Sequence, residues 1–143
     1  MPTQDYSNHT RRVPLFLTVF FVLFLTVIGS LVNLYNSLGD HQRLYSAALI
    51  VVLSVCMLVV TLQSRTFPLK AQDRAIRAEE NLRHFVLAGK LLDPRLSPLQ
   101  IVALRFASDG EFVALAARAA NENLQPKLIK QAVKTWRADE YRV

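Results

Sequence analysis

The residues best suited to chemistry are three histidines, one cysteine and eleven carboxylates, and none of them falls into a catalytic or metal-binding pattern. His9 and His84 have no cysteine or acidic cluster at metal-ligand spacing. Cys56 lies inside an apolar run, where a lone thiol forms neither an internal disulfide nor a metal site. The glycine-rich phosphate loop and the G-x-S-x-G and H-E-x-x-H motifs are missing from the sequence. We therefore predict a non-enzymatic protein without catalytic residues, cofactor, metal or small-molecule substrate.

Two long uncharged runs account for the first half of the chain. Residues 13–39 and 44–64 contain no Asp, Glu, Lys or Arg, and each is long enough to cross the ~30 Å hydrocarbon core as a helix. A signal peptide is a poor explanation of the first run, which lacks an A-x-A cleavage site and leads straight into the second. We predict spans at about residues 15–37 and 44–64, joined by a tight turn at residues 39–42 into an antiparallel hairpin.

The basic residues predict the orientation of this hairpin. Arg43 is the only one of the 17 Lys and Arg residues that lies in the turn, and the others precede the first span or follow the second. By the positive-inside rule, both termini are expected in the cytoplasm. The predicted organisation is a polar N-terminal segment (residues 1–12), a transmembrane hairpin (13–65) and a cytoplasmic helical domain (66–143).

Small and hydroxylated residues recur along one face of each span. Such residues let helix backbones approach closely, which predicts a helix-packing seam inside the hairpin, with the bulky apolar faces turned towards lipid and other membrane subunits. Asp, Glu, Lys, Arg and His are missing from both spans, which argues against transport, proton relay and haem ligation. The predicted seam residues are Ala47, Ser54 and Thr61 on the second span, and Thr26 and Ser30 on the first.

The second half reads as an all-α bundle of three to four short helices. Pro68 either kinks a continuous helix or begins a new one that runs to about residue 89. Along this stretch we predict a Glu79–Arg83 ion pair, a solvated Glu80 and an apolar stripe. That stripe comprises Ile76, Leu82, Phe85 and Val86.

Two capping boxes and two prolines predict the remaining helices. The boxes start at Ser97 and Ser108. The first begins a helix with Leu99, Val102, Ala103 and Phe106 on one face. The second begins one that runs through Phe112, Leu115, Ala116 and Ala119 and ends around residues 121–123. A last helix is expected from Pro126 to about Ala138, apolar on one face and basic on the other. Its basic face comprises Lys127, Lys130, Lys134 and Arg137.

The N-terminal segment is dense in hydrogen-bonding groups. It either packs under the helical domain, clips onto a neighbouring subunit, or is a frayed terminus. Its candidate partner or lipid contacts are Tyr6, Asn8, His9 and Arg11.

Several short stretches together resemble an uncharacterised bacterial family of small two-span inner-membrane proteins, over nearly the whole chain. The resemblance implies two spans and a helical C-terminal part, and it brings no known catalytic residues. At two positions the chain departs from the family pattern, which often has histidine in place of Leu17 and an acidic residue in place of Gly110. The matching residues are Gln4, Tyr6, Asn8, His9, Arg11, Gln72, Asp73, Arg74, Ile76, Arg77, Glu79, Glu80, the run 104–109, Ile129, Lys130, Trp136, Ala138, Asp139, Tyr141 and Arg142.

Two hypotheses about function follow from the sequence. The first is a non-enzymatic accessory subunit of a larger inner-membrane complex, with an energy-transducing host, photosynthetic or respiratory, as the preferred guess. The second is a membrane-tethered binding or regulatory module whose basic last helix contacts anionic lipid or a cytosolic partner. The net charge of +6 suits anionic partners in general, but we do not expect nucleic acid to be one of them.

Overall fold

The structure, a computed structural model, describes residues 4–8 and 13–139. These residues form two compact units. One comprises residues 13–67, and the other combines residues 4–8 with residues 68–139. Regular structure in the described residues is helical, apart from one isolated β-bridge, which confirms the all-α prediction.

The first unit is a helical hairpin. Helix α1 runs from Pro14 to Asn36 and helix α2 begins at His41, and both are long and apolar enough to cross a membrane. The turn between them lies at residues 37–40, slightly before the predicted one. There the Asp40 carboxylate accepts hydrogen bonds from the backbone N–H groups of Gln42 and Arg43. This interaction satisfies two of the unpaired donors at the start of α2.

Helix α2 continues through Pro68 and ends at Ala88, for a total of 48 residues. Pro68 therefore lies inside one continuous helix and does not begin a new one. A proline inside a helix removes one backbone hydrogen bond but does not have to end the helix. The helix ends instead just before Gly89, whose φ of +70° suits glycine and whose N–H donates to the Phe85 carbonyl.

Three short helices pack against one another in the second unit. Helix α3 (Pro98–Leu104) contacts both α4 (Asp109–Asn121) and α5 (Pro126–Ala132). The largest fully buried side chains are those of Leu104, Phe106, Phe112 and Ile129. The four α4 residues named from the sequence, Phe112, Leu115, Ala116 and Ala119, are buried.

The apolar face expected on α3 is only partly buried. Leu99 is exposed, and the helix buries Gln100, Ile101, Ala103 and Leu104. Gln100 has two roles that the apolar pattern does not contain. It closes the predicted capping box with Ser97, and its amide nitrogen donates to the Leu124 carbonyl at 2.8 Å.

The last helix is much shorter than predicted. Helix α5 ends at Ala132. Residues 133–136, which follow it, are not helical and contact Glu111 and Phe106 instead. The Glu111 carboxylate accepts the N–H groups of Lys134 and Thr135 at 3.1 and 2.9 Å, and the Trp136 ring packs on Phe106 with centroids 4.9 Å apart. Glu111 therefore does not close the capping box at Ser108, although α4 begins where that box predicts.

Two leucines on α3 provide a test of this packing. We expect Leu104→Ala to lower the free energy of unfolding by about 2–5 kcal/mol, because a buried leucine leaves a cavity when truncated. The matched control Leu99→Ala, on the exposed side of the same short helix, is expected to change it by less than about 0.5 kcal/mol. Urea titration of the full chain in detergent, followed by circular dichroism, measures both. Equal effects would contradict the described core.

Candidate interaction surfaces

The hairpin encloses a short contact of small residues. The hydroxyls of Ser30 and Ser54 lie 3.2 Å apart and both side chains are buried, as is Ala47. Thr61 is partly buried, and Thr26 is exposed with its hydroxyl bonded to the Val22 carbonyl of its own helix. The structure therefore brings Ser30, Ser54 and Ala47 of the predicted seam into the interior and leaves Thr26 outside.

Bulky apolar side chains cover the outside of the hairpin. On α1, Phe16, Phe20 and Phe24 form a row of nearly parallel rings, with successive centroids 6.5 and 6.4 Å apart. Phe24 is exposed, whereas Phe16 and Phe20 are partly buried. The outward hydroxyls of Thr18 and Thr26 donate to carbonyls four residues earlier. These hydroxyls are already satisfied within α1, so this surface offers mainly van der Waals contact to a neighbour.

Residues 4–8 of the N-terminal segment belong to the second unit. Gln4 accepts the backbone N–H of Asp139 at 2.8 Å. Residues 5–8 form a turn in which the Asp5 carboxylate binds the N–H groups of Ser7 and Asn8. Tyr6 and Asn8 are exposed on this turn, whereas His9 and Arg11 lie outside the described residues.

A buried ionic cluster lies on distal α2, the part of the helix that begins at Pro68 and belongs to the second unit. The Arg83 guanidinium, 11% exposed, contacts the Glu80 carboxylate at 2.9 Å and the Asp109 carboxylate at 2.7 Å. It also donates to the Ala107 carbonyl at 2.7 Å and lies 4.3 Å above the centre of the Phe112 ring. A single side chain thus joins α2 to the segment that begins α4.

The cluster overturns two expectations about α2. Glu80 is not solvated, since its side chain is only 6% exposed, and Arg83 pairs with Glu80 rather than with Glu79. The apolar stripe is wrong as well, because Ile76 is buried while Leu82, Phe85 and Val86 are exposed. The polar face of distal α2 is the face covered by the bundle. Nothing in the periodicity of the sequence signals this inversion.

The four basic residues of the predicted C-terminal stripe do not share one helix. Lys127 and Lys130 lie on α5, and Lys134 and Arg137 follow its end. Two of them have partners within the chain. Lys130 lies 5.8 Å from the centre of the Phe106 ring, and Arg137 lies 3.8 Å from the Glu80 carboxylate. Lys127 and Lys134 are exposed.

A half-open cleft of about 430 Å³ lies beside the connection between α2 and α3, and it is lined in part by His84, Lys90, Val113 and Asn121. The His84 imidazole is buried and bound through Nδ1 to the Lys90 carbonyl at 2.7 Å. No group of three His, Cys, Asp or Glu side chains able to hold a metal occurs among residues 4–8 and 13–139. The histidine therefore helps to hold the loop that forms the cleft.

Together, these features define an all-helical protein with two apolar helices compatible with membrane spans and a small helical unit. The chain belongs to the DUF6526 family, a family of unknown function whose model matches residues 1–143. This confirms the resemblance to an uncharacterised family. Neither the curated proteins nor the solved structures contain a significant match.

The Arg83 cluster predicts a large and specific loss of stability. Arg83→Met leaves Glu80 buried without its closest partner, and we expect a cost of about 3–5 kcal/mol in the free energy of unfolding. Arg77→Met, at an exposed arginine of the same helix, is expected to cost less than about 0.5 kcal/mol. The double variant Glu80→Leu with Arg83→Met should recover part of the loss. Urea titration in detergent measures all three, and equal costs for Arg83 and Arg77 would contradict the cluster.

The Asp93–Arg95 pair predicts a pH dependence of stability. Hydrogen bonds from the Arg95 guanidinium and backbone N–H lower the pKa of Asp93 from 3.8 to about 2. A depressed pKa means that the ionised carboxylate stabilises the fold, fully so above its ordinary pKa and progressively less as pH falls towards 2.

We expect Asp93→Asn to lower the melting temperature near neutral pH and to match the natural chain more closely as pH falls towards 2. Thermal unfolding followed by circular dichroism tests this. A difference that does not change across the acid range would contradict it.

Proposed function

We propose that this chain is a non-enzymatic accessory subunit of a larger membrane complex, which it joins through the outer surface of its hairpin. We place it in a bacterial inner membrane with both termini in the cytoplasm, since 16 of its 17 basic residues flank the spans on that side. An energy-transducing complex, photosynthetic or respiratory, is the host that we favour.

The observation that carries this proposal is the division of side chains within the hairpin. The small polar groups of Ser30 and Ser54 pair with each other inside. The exposed surface consists of large apolar side chains, among them Phe21, Phe24 and Leu25. Helices in lipid associate by close packing rather than by the hydrophobic effect, so a rigid aromatic row is a feature that a neighbouring subunit can pack against.

A tethered regulatory module is the second candidate, and the structure favours it less. This candidate depends on a continuous basic helix, but α5 ends before Lys134 and Arg137. The exposed cations that remain on this side, Lys127 and Lys134, are separated by the end of the helix. A lipid-binding stripe needs its charges aligned along one helix face.

Purification from native membranes tests the accessory role. The full chain, carrying an affinity tag, is extracted in a mild detergent and analysed on native gels, followed by mass spectrometry of the copurifying proteins. We expect the chain in a species that contains other membrane subunits. Migration only as a free monomer or homodimer would overturn the proposal.

A pair of variants tests which surface is used. Phe24→Ala removes an exposed ring from the aromatic row of α1, and we expect it to reduce the copurified subunits several-fold. Val52→Ala removes apolar surface from an exposed position of α2 and is the matched control. Equal recovery of partners with the two variants would show that the aromatic row is not the contact.

A further inference from the structure

The exposed side of distal α2 carries a regular apolar stripe. Five residues follow each other at spacings of four, three, four and three, and all are exposed. This is the a/d spacing of a coiled coil, in which two helices share one apolar seam. The members of this α2 stripe are Ala71, Ala75, Ala78, Leu82 and Phe85.

The described part of the chain leaves the α2 stripe uncovered. The bundle packs on the other side of the helix, around Ile76, Glu80 and His84. Leu82 and Phe85 are 63% and 52% exposed, and the adjoining Val86 is 74% exposed. A cluster of apolar side chains this exposed, outside the hairpin, is typical of an interaction site.

The charges beside the stripe identify the partner. Arg74 and Glu79 lie five residues apart, at the g position of one heptad and the e position of the next. In a parallel coiled coil these two positions face each other across the seam, so an arginine and a glutamate here are complementary to the same pair on a second copy. Both side chains are exposed, and no ion pair within the described residues involves either of them.

We propose that two copies of this chain pair in parallel along the α2 stripe, with Arg74 of each copy facing Glu79 of the other. Two copies inserted with the same topology have parallel α2 helices, as this register requires. The twofold symmetry of a dimer makes the salt bridge twice. An anionic lipid surface fits less well, because Glu79 lies beside the stripe and would be repelled. The pairing goes beyond the accessory role, since it concerns contact of the chain with itself.

Cysteine cross-linking in membranes tests the contact. Replacing Cys56 by alanine leaves the chain without a native thiol. In that background, Ala78→Cys lies inside the stripe, and Arg77→Cys lies one residue away on an exposed position outside it. With a short bis-maleimide we expect a covalent dimer at position 78, at least about tenfold more abundant than at position 77. Equal yields at the two positions, or an adduct only with a protein of another mass, would overturn self-pairing.

Charge reversal tests the register. Arg74→Glu and Glu79→Arg each replace two attractive contacts of the dimer by two repulsive ones, and we expect each to weaken pairing by about tenfold. The double variant reverses both charges and should restore the cross-linked fraction obtained with Ala78→Cys alone. Failure of the double variant to restore pairing would overturn the parallel register.

The outcomes separate this proposal from the accessory role. Cross-linking reports contact between two copies, whereas native gels with mass spectrometry report other subunits. A covalent dimer without foreign subunits would leave the pairing intact and remove the accessory role. Foreign subunits without a position-specific covalent dimer would do the reverse.

Discussion

The guanidinium of Arg83 binds two carboxylates, one backbone carbonyl and the face of one aromatic ring. A charge that is 11% exposed is tolerated only when its donors are satisfied, and here Glu80, Asp109 and Ala107 satisfy them. Because these partners come from α2 and from the start of α4, the interaction determines how the two elements pack. Arg137 brings the C-terminal segment to the same carboxylate, at 3.8 Å from Glu80.

The side chains of α2 that face the bundle determine which side chains of the same helix remain exposed. With Glu80, Arg83 and His84 turned towards the bundle, Leu82, Phe85 and Val86 are on the surface. From the amphipathic pattern alone, these three residues would be expected to face the bundle instead. The polar face is stabilised by hydrogen bonds and ion pairs within the chain, so the apolar face is left exposed.

The two units hold themselves together by different means. The hairpin packs through small side chains and one hydroxyl pair, as helices do where lipid removes the hydrophobic driving force between them. The second unit has an apolar core around Leu104, Phe112 and Ile129, with the Arg83 cluster at its edge. A core of this size is small for independent stability. The Gln4–Asp139 hydrogen bond, which joins the two ends of the chain, adds to it.

Local signals in the sequence were sufficient for much of the secondary structure. The uncharged runs, the Ser97 capping box with Pro98, and Pro126 act through nearby residues, so the start of each corresponding helix was predictable. The apolar face of α4 was also predictable, since Phe112, Leu115, Ala116 and Ala119 recur at helical spacing. These features depend on the chain near each residue and not on what packs against it.

Only the tertiary structure decided which faces are covered. Glu111 was expected to cap its own helix, yet it binds the backbone at residues 134 and 135, and α5 stops at Ala132. Glu80 was expected in solvent, yet Arg83 and Arg137 surround it. Glu111 binds backbone groups 23 and 24 residues away. Arg83, which pairs with Glu80 on the same helix, is itself bound by Asp109 and Ala107, 26 and 24 residues away. By itself the sequence determined two apolar helices and a small helical unit without an evident catalytic motif. The contacts of Arg83 with Asp109 and of Glu111 with residues 134 and 135, which join distant parts of the chain, determined which surfaces remain exposed.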